Sequence, residues 1–273
     1  MGNQVLGSII LISLFGIPHG AIDNIIFLSR NKISSYKFYL VYIIVILVYC
    51  FFWFLLPTYS FIFFLALSAY HFGESQLSDY CSFNISKTLL YIIWGVFLIS
   101  SLIHYNIDEL IRLSSQSEDM IQFIKIFERV IFKYIFYCSN LSLLTALSFE
   151  RLKLSLSTQE FMSEIFQIFL IHITFILFPV IISFTLYFTF LHSLKVLKQE
   201  YNYLKSLISS LDLFKFFKLL IPHTFIAFVF LITFILLINL GLIKISLFLF
   251  SIIAISVITL PHAIIMSNFY DKS

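Results

Sequence analysis

The stretch 161-FMSEIFQIFLIHITFILFPVIISFTLYFTFLHSLKVL-197 runs apolar for 37 residues with Pro179 at its middle. As one helix rising 1.5 Å per residue it would extend about 55 Å, well beyond the ~30 Å hydrocarbon core of a bilayer. A proline ring inside a helix removes a backbone hydrogen bond and breaks or kinks it. The stretch therefore reads as two membrane crossings, 161–178 and 180–197, with a single kinked helix as the alternative.

Further apolar segments lie at about 5–28, 38–56, 59–73, 88–104, 130–148, 216–240 and 243–265. Several reach or approach the ~20 residues that a crossing helix needs. Polar connections separate them, and the longest, 106–129, carries Asp108, Glu109, Arg112, Glu118 and Asp119. That connection is expected to hold an interfacial helix. Only helices and closed barrels satisfy their backbone in lipid, and these runs are too long and continuous for barrel strands. The expected fold is all-α, a polytopic transmembrane helical bundle of about 8–9 membrane segments. Residues 1–273 are expected to form a single integral membrane domain.

Composition agrees. Hydrophobic residues make up 60% of the chain and charged ones 11%, with a mean hydropathy of +1.01. A soluble domain carries about 25% charged residues, so this chain could not cover a globular surface. Met1 to Gln4 has no positive charge, and the run after it ends in Gly16-Ile17-Pro18-His19-Gly20. It reads as a retained first membrane segment, not a cleaved signal peptide. Cys50, Cys81 and Cys138 stand far apart and give neither a disulfide framework nor a thiolate metal site. The pI near 8.6 reflects loop lysines and points to no nucleic-acid partner.

Positive charge tests the topology. Nine segments place Arg30, Lys32, Lys37, Lys87, Arg151, Lys153, Lys195, Lys198, Lys205, Lys215, Lys218 and Lys272 on one side. Arg112, Lys125, Arg129, Lys133 and Lys244 fall on the other, a division of 12 against 5. Positive loops stay cytoplasmic, so the amino terminus is expected outside. The chain then reads as a multi-pass protein of the cell (plasma or inner) membrane.

Four motifs carry candidate chemistry: Pro18-His19-Gly20-Ala21-Ile22-Asp23, Ser68-Ala69-Tyr70-His71-Phe72-Gly73-Glu74, Tyr187-Phe188-Thr189-Phe190-Leu191-His192-Ser193 and Leu260-Pro261-His262. Ionisable groups within transmembrane segments are costly and mark function. In the nine-segment topology His71, His192 and His262 fall near the cytoplasmic ends of their helices, with His19 somewhat deeper, so all four can share one layer. Neutral imidazole is a common ligand of iron, zinc and copper. Asp23 follows His19 by four residues and Glu74 follows His71 by three. Each pair shares a helix face if the helix continues that far, so the carboxylates could orient the rings or ligate directly. His223, in Ile221-Pro222-His223, is a stand-in ligand. His104 and His172 lie in no motif and are read as structural. Glycines and prolines beside the histidines also have a bland explanation, since they end helices or let them pack closely.

At Pro-His-Gly-Ala-x-Asp, His-Phe-Gly, Tyr-Phe…His-Ser and Leu-Pro-His, the chain resembles the Brp/Blh family of bacterial and archaeal membrane proteins. These are β-carotene 15,15′-dioxygenases, which make retinal, often for microbial rhodopsins. The resemblance spans His19 to His262 and implies that His19, His71 and His192 bind a non-haem Fe(2+). The family's third motif looks like His-Ser-x-x-His, whereas here His192-Ser193-Leu194-Lys195 is followed by Val196. His262 or His223 completes the site, or a carboxylate does, or three histidines suffice, or this copy is impaired; His262 is the choice here. The resemblance implies cleavage of β-carotene by O₂ at its central double bond to give two all-trans-retinal, with the lipid bilayer as the medium and a functional link to a retinal-binding rhodopsin. No acid–base residue is required beyond the metal site. The main alternative is a membrane transporter or channel with its histidines in an ion or proton path. A di-iron desaturase is disfavoured because no dense histidine box occurs.

Overall fold

A computed structural model describes residues 7–271 except 9, 81, 82 and 128. The readings of Met1 to Gln4, Cys81 and Lys272 lie outside these residues. Among the described residues, ten α-helices can be given bounds and there is no strand. They are α1 (Asp23–Arg30), α2 (Ser35–Leu55), α3 (Pro57–Leu77), α4 (Lys87–Ser115), α5 (Arg129–Leu152), α6 (Thr158–Leu177), α7 (Val180–Leu186), α8 (Leu194–Leu207), α9 (Leu213–Asn239) and α10 (Leu247–Tyr270). Among the described residues, eight spans are long and apolar enough to cross a membrane, and the chain is a multi-pass membrane protein.

The 161–197 stretch divides as its proline dictates, into separate spans Thr158–Leu177 and Val180–Leu207. Phe178 (φ −118°, ψ 150°) and Pro179 (φ −57°, ψ 156°) are extended between them. Proline disfavours helical backbone in the residue before it. The Val180 N–H left over at the new helix start donates to Glu109 Oε2 at 2.8 Å. The count is eight for a different reason: α3 is 21 residues long but is not among the spans. Its last turns carry His71, Glu74, Ser75 and Gln76, too polar for a lipid-facing helix, and all four are buried.

Sequence-local signals set the other boundaries. Ser157 and Glu160 form a reciprocal capping box at the start of α6, with bonds of 3.2 and 2.7 Å. Asp212 caps α9 through Lys215 N at 2.8 Å. Gly241 (φ 70°) turns the chain out of α9 in the left-handed region that glycine tolerates. Pro222 and Pro261 do not end helices; both lie inside them, as membrane helices permit. The expected interfacial helix of 106–129 is not a separate α-helix. Its first part continues α4 past a break at Asn106 (φ −115°, ψ 18°), and Glu118–Ile126 is a 3₁₀ stretch that buries Met120 and Phe123.

The chain forms two compact units, Met1–Ser60 with Phe188–Ser273, and Phe61–Tyr187. In the first, Ala21, Ile22, Ile26, Val196, Leu204 and Met266 belong to one buried cluster. Arg30 closes its end. Its guanidinium lies 4.5 Å from the Tyr203 ring and 4.7 Å from that of Phe269, and its Nη1 donates to the carbonyls of Asn268 and Phe269. Those carbonyls sit in the last turn of α10, where helical partners run out. Trp53 Nε1 donates to Ser256 Oγ at 2.7 Å, tying α2 to α10. By contrast α9 buries little, and Phe214, Phe217, Phe225 and Ile226 are exposed in a way that suits lipid contact.

In the second unit, glycines let α3 and α4 touch backbone to backbone: Gly73 lies on the Tyr91 carbonyl, and Gly95 on that of Ala69. Two buried carboxylates are fully occupied. Glu164 accepts from Gln76 at 2.8 Å, Tyr80 at 2.6 Å and Trp94 at 3.2 Å. Glu150 accepts from the backbone N–H of Asn84 (2.9 Å) and of Ile85 (2.7 Å), and from Ser155 Oγ (2.7 Å). Glu150 thereby pins the turn that leads into α4. Glu150→Ala should strand these donors at a cost of about 3 kcal/mol, visible as a lowered thermal melting point in detergent. An unchanged melting point would show that the turn finds its donors other partners.

Candidate metal centre

The chain leaves regular α-helix twice on its way into the first histidine motif. Ile12–Gly16 is a π-helical turn, and Pro18–Gly20 a single 3₁₀ turn that carries His19. Proline suits the first position of such a turn because its missing N–H has no partner there. The tightened turn brings His19 Nδ1 back to the Gly16 carbonyl. A carbonyl only accepts, so Nδ1 carries the proton and Nε2 the lone pair. π-Helical turns cluster at functional sites, and a second one, Tyr187–Ser193, carries His192. His262 sits within α10, directly after Pro261.

These three rings converge in the first unit. The His19 centroid lies 5.2 Å from that of His192, at an interplanar angle of 84°, and 4.8 Å from that of His262, at 88°. All three residues are buried. Phe188 stacks on His192 (5.4 Å, 20°) and meets His19 edge-on (5.4 Å, 79°). Aromatic pairs at this spacing each add about 0.5–1.5 kcal/mol beyond burial, enough to favour one ring orientation.

Asp23 serves a different histidine from the one its spacing suggested. Ile22 departs from helical geometry (φ −113°, ψ 16°), so positions 19 and 23 do not share a helix face. Asp23 instead opens α1 and accepts His262 Nδ1–H on Oδ1 at 2.9 Å. Its Oδ2 accepts from Tyr42 OH at 3.1 Å. A carboxylate on Nδ1 is the usual support for a metal-binding imidazole, because it fixes the ring and leaves Nε2 basic. Tyr42 escaped sequence reasoning altogether: it belongs to no motif, and only folding brings α2 beside Asp23.

In the second unit His71 is buried in α3, and Glu74, one turn on, accepts from Tyr70 OH at 2.9 Å. Three buried histidines could hold a metal ion: His19, His71 and His192. Imidazoles without thiolates suit iron, zinc or copper, and this buried imidazole donor set fits such an ion.

The other candidates go elsewhere. His223 bonds through Nε2 to Tyr39 OH at 3.0 Å and stacks on that ring. His172 is held between Tyr105 OH (3.1 Å) and Asn140 Oδ1 (2.9 Å), and His104 stacks on Phe136 at 4.2 Å. Val196 is fully buried within the apolar cluster, so position 196 serves packing.

Residues 10–270 match the family model described as Beta-carotene 15,15'-dioxygenase. No curated protein and no solved structure matches the chain.

Proposed function

The chain belongs to the beta-carotene 15,15'-dioxygenase family, and on that premise we propose that His19, His71, His192 and His262 hold a ferrous iron that serves the cleavage. The enzyme is an oxidoreductase that cleaves β-carotene, with O₂ as its second substrate. Membership replaces the transporter or channel reading. Central scission gives two retinal molecules, which account for all the carbon of β-carotene and both atoms of O₂.

The observation that carries the iron assignment is the buried histidine set at the motif positions, in a family whose reaction consumes O₂. When bound, the iron supplies activation of O₂. The chain's own residues do the rest. The Gly16 carbonyl holds the His19 ring by Nδ1, and Asp23 holds that of His262, so both present Nε2. Tyr42 keeps Asp23 turned toward His262. Burial excludes water from the rings, which strengthens each electrostatic contact and protects reactive species from side reactions. β-Carotene dissolves in the hydrocarbon core and enters from lipid. We further propose that both units belong to one domain in the cell membrane, with Asp23 orienting a ligand and Glu74 as the alternative ligand.

The test is colour. Bacteria that accumulate β-carotene should lose their orange pigment on expressing this chain, and their extracts should contain retinal. Unchanged pigment, with the protein present in the membrane and iron supplied, would refute the reading.

A further inference from the structure

We infer that Gly16 and Phe188 form a coupled pair of positioning residues that sets the angle between the His19 and His192 rings. The inference rests on the iron reading above and deepens it.

Gly16 acts twice. Its carbonyl takes the His19 Nδ1–H, and its missing side chain makes room for Phe188. A Cβ on Gly16 would lie 2.5 Å from Phe188 Cε1 and 3.3 Å from its Cδ1. The ring would have to move. Phe188 has little freedom to do so, because it stacks on His192 and stands T-shaped against His19. The geometry is self-consistent: Phe188 is nearly parallel to His192 and nearly perpendicular to His19, and the two histidines stand at 84° to each other. Both members of the pair lie in π-helical turns: Ile12–Gly16, which ends just before the turn that carries His19, and Tyr187–Ser193, which carries His192. Displacing Phe188 therefore reorients both imidazoles without removing either.

This pair differs from Asp23 and Tyr42, which act on His262 through hydrogen bonds. It acts by shape, so its signature is coupling. Gly16→Ala harms the site only while a ring stands at position 188. With Phe188→Leu the stacking is already lost, and the added Cβ meets no ring; the Ile12 Cγ2 methyl, at 3.2 Å, is the end of a flexible side chain that can give way.

The experiment uses the full chain, purified in detergent and stripped of metal, with Co(II) titrated in and followed by its visible d–d absorption. Wild type is expected to take one Co(II) per chain. Gly16→Ala and Phe188→Leu should each weaken Co(II) binding about tenfold, the lower end of what losing a ligand's support costs, and shift the d–d bands. The Gly16→Ala/Phe188→Leu double variant should bind as Phe188→Leu does, because effects of residues in contact are not additive. Melting points should stay near that of wild type. Wild-type affinity and spectrum in both single variants, or fully multiplicative losses in the double, would overturn the inference. So would loss of the melting transition together with the metal, which would mark plain packing. Failure of wild type to bind Co(II) would overturn the iron reading and this inference with it.

Discussion

Alanine at His19, His71 or His192 should lower β-carotene cleavage by about a thousandfold or more, with the protein still inserted in the membrane. A bound metal contributes several kcal/mol of transition-state stabilisation, and each 1.36 kcal/mol is a factor of ten in rate. The expected loss is therefore much larger than any packing effect of a lost imidazole on the surviving folded fraction. Iron per chain should fall in parallel, which separates loss of a ligand from loss of a substrate contact. His262→Ala belongs in the same series and tests the fourth position. Its Nδ1 is committed to Asp23 and its ring stands T-shaped against that of His19, so loss of iron is expected there too. Full activity with full iron occupancy in His262→Ala would remove it from the ligand set. Asp23→Asn should resemble it more weakly, since the amide oxygen can still accept the Nδ1 proton. Retinal yield per milligram of protein and metal analysis by mass spectrometry measure the whole series.

The break at Pro179 was legible because its cause is local: one ring constrains one backbone position and its neighbour. Burial of the motif histidines was legible for a similar reason, since polar side chains in long apolar runs must face protein. Three features were not. The polar last turns of α3 keep it from the span count while its length matches a crossing, and hydropathy alone cannot separate a buried polar face from a loop. Asp23 was assigned to His19 by spacing, and spacing misleads when a residue such as Ile22 leaves the helix between them. Tyr42 and Gly16 act through partners that only the folded chain brings near, at sequence separations of 19 and 172 residues. Val196 is a case between these. The sequence shows that a histidine expected from the family is missing, and only the fold shows that the position lies in a closed apolar cluster.

Gly95→Ala should be the most damaging methyl group that can be added to this chain, and no side-chain change should repair it. A Cβ on Gly95 would lie 2.6 Å from Ala69 Cα and nearer still to the Ala69 carbonyl, and one on Gly73 would lie 2.6 Å from the Tyr91 carbonyl carbon. Overfilling a packed core with side chains costs about 1–3 kcal/mol, because rotamers can adjust. Here the obstacle is backbone on the facing helix, so relief requires α3 and α4 to separate. Membrane helices associate chiefly through such close packing, and separation would expose Glu164 donors, such as Trp94, that bind between them. A loss above about 3 kcal/mol, against a total stability of about 5–15 kcal/mol, should appear as low yield and a collapsed melting transition. Gly95 is the better probe of the two, because it lies on a different helix from His71, whereas Gly73 is two residues away. Ala69→Gly should fail to rescue Gly95→Ala, since the clashing carbonyl remains. That outcome contrasts with position 16, where the obstacle is the Phe188 ring and a smaller residue removes it. Wild-type yield and melting in Gly95→Ala would show that the two helices are held apart by something other than their backbones.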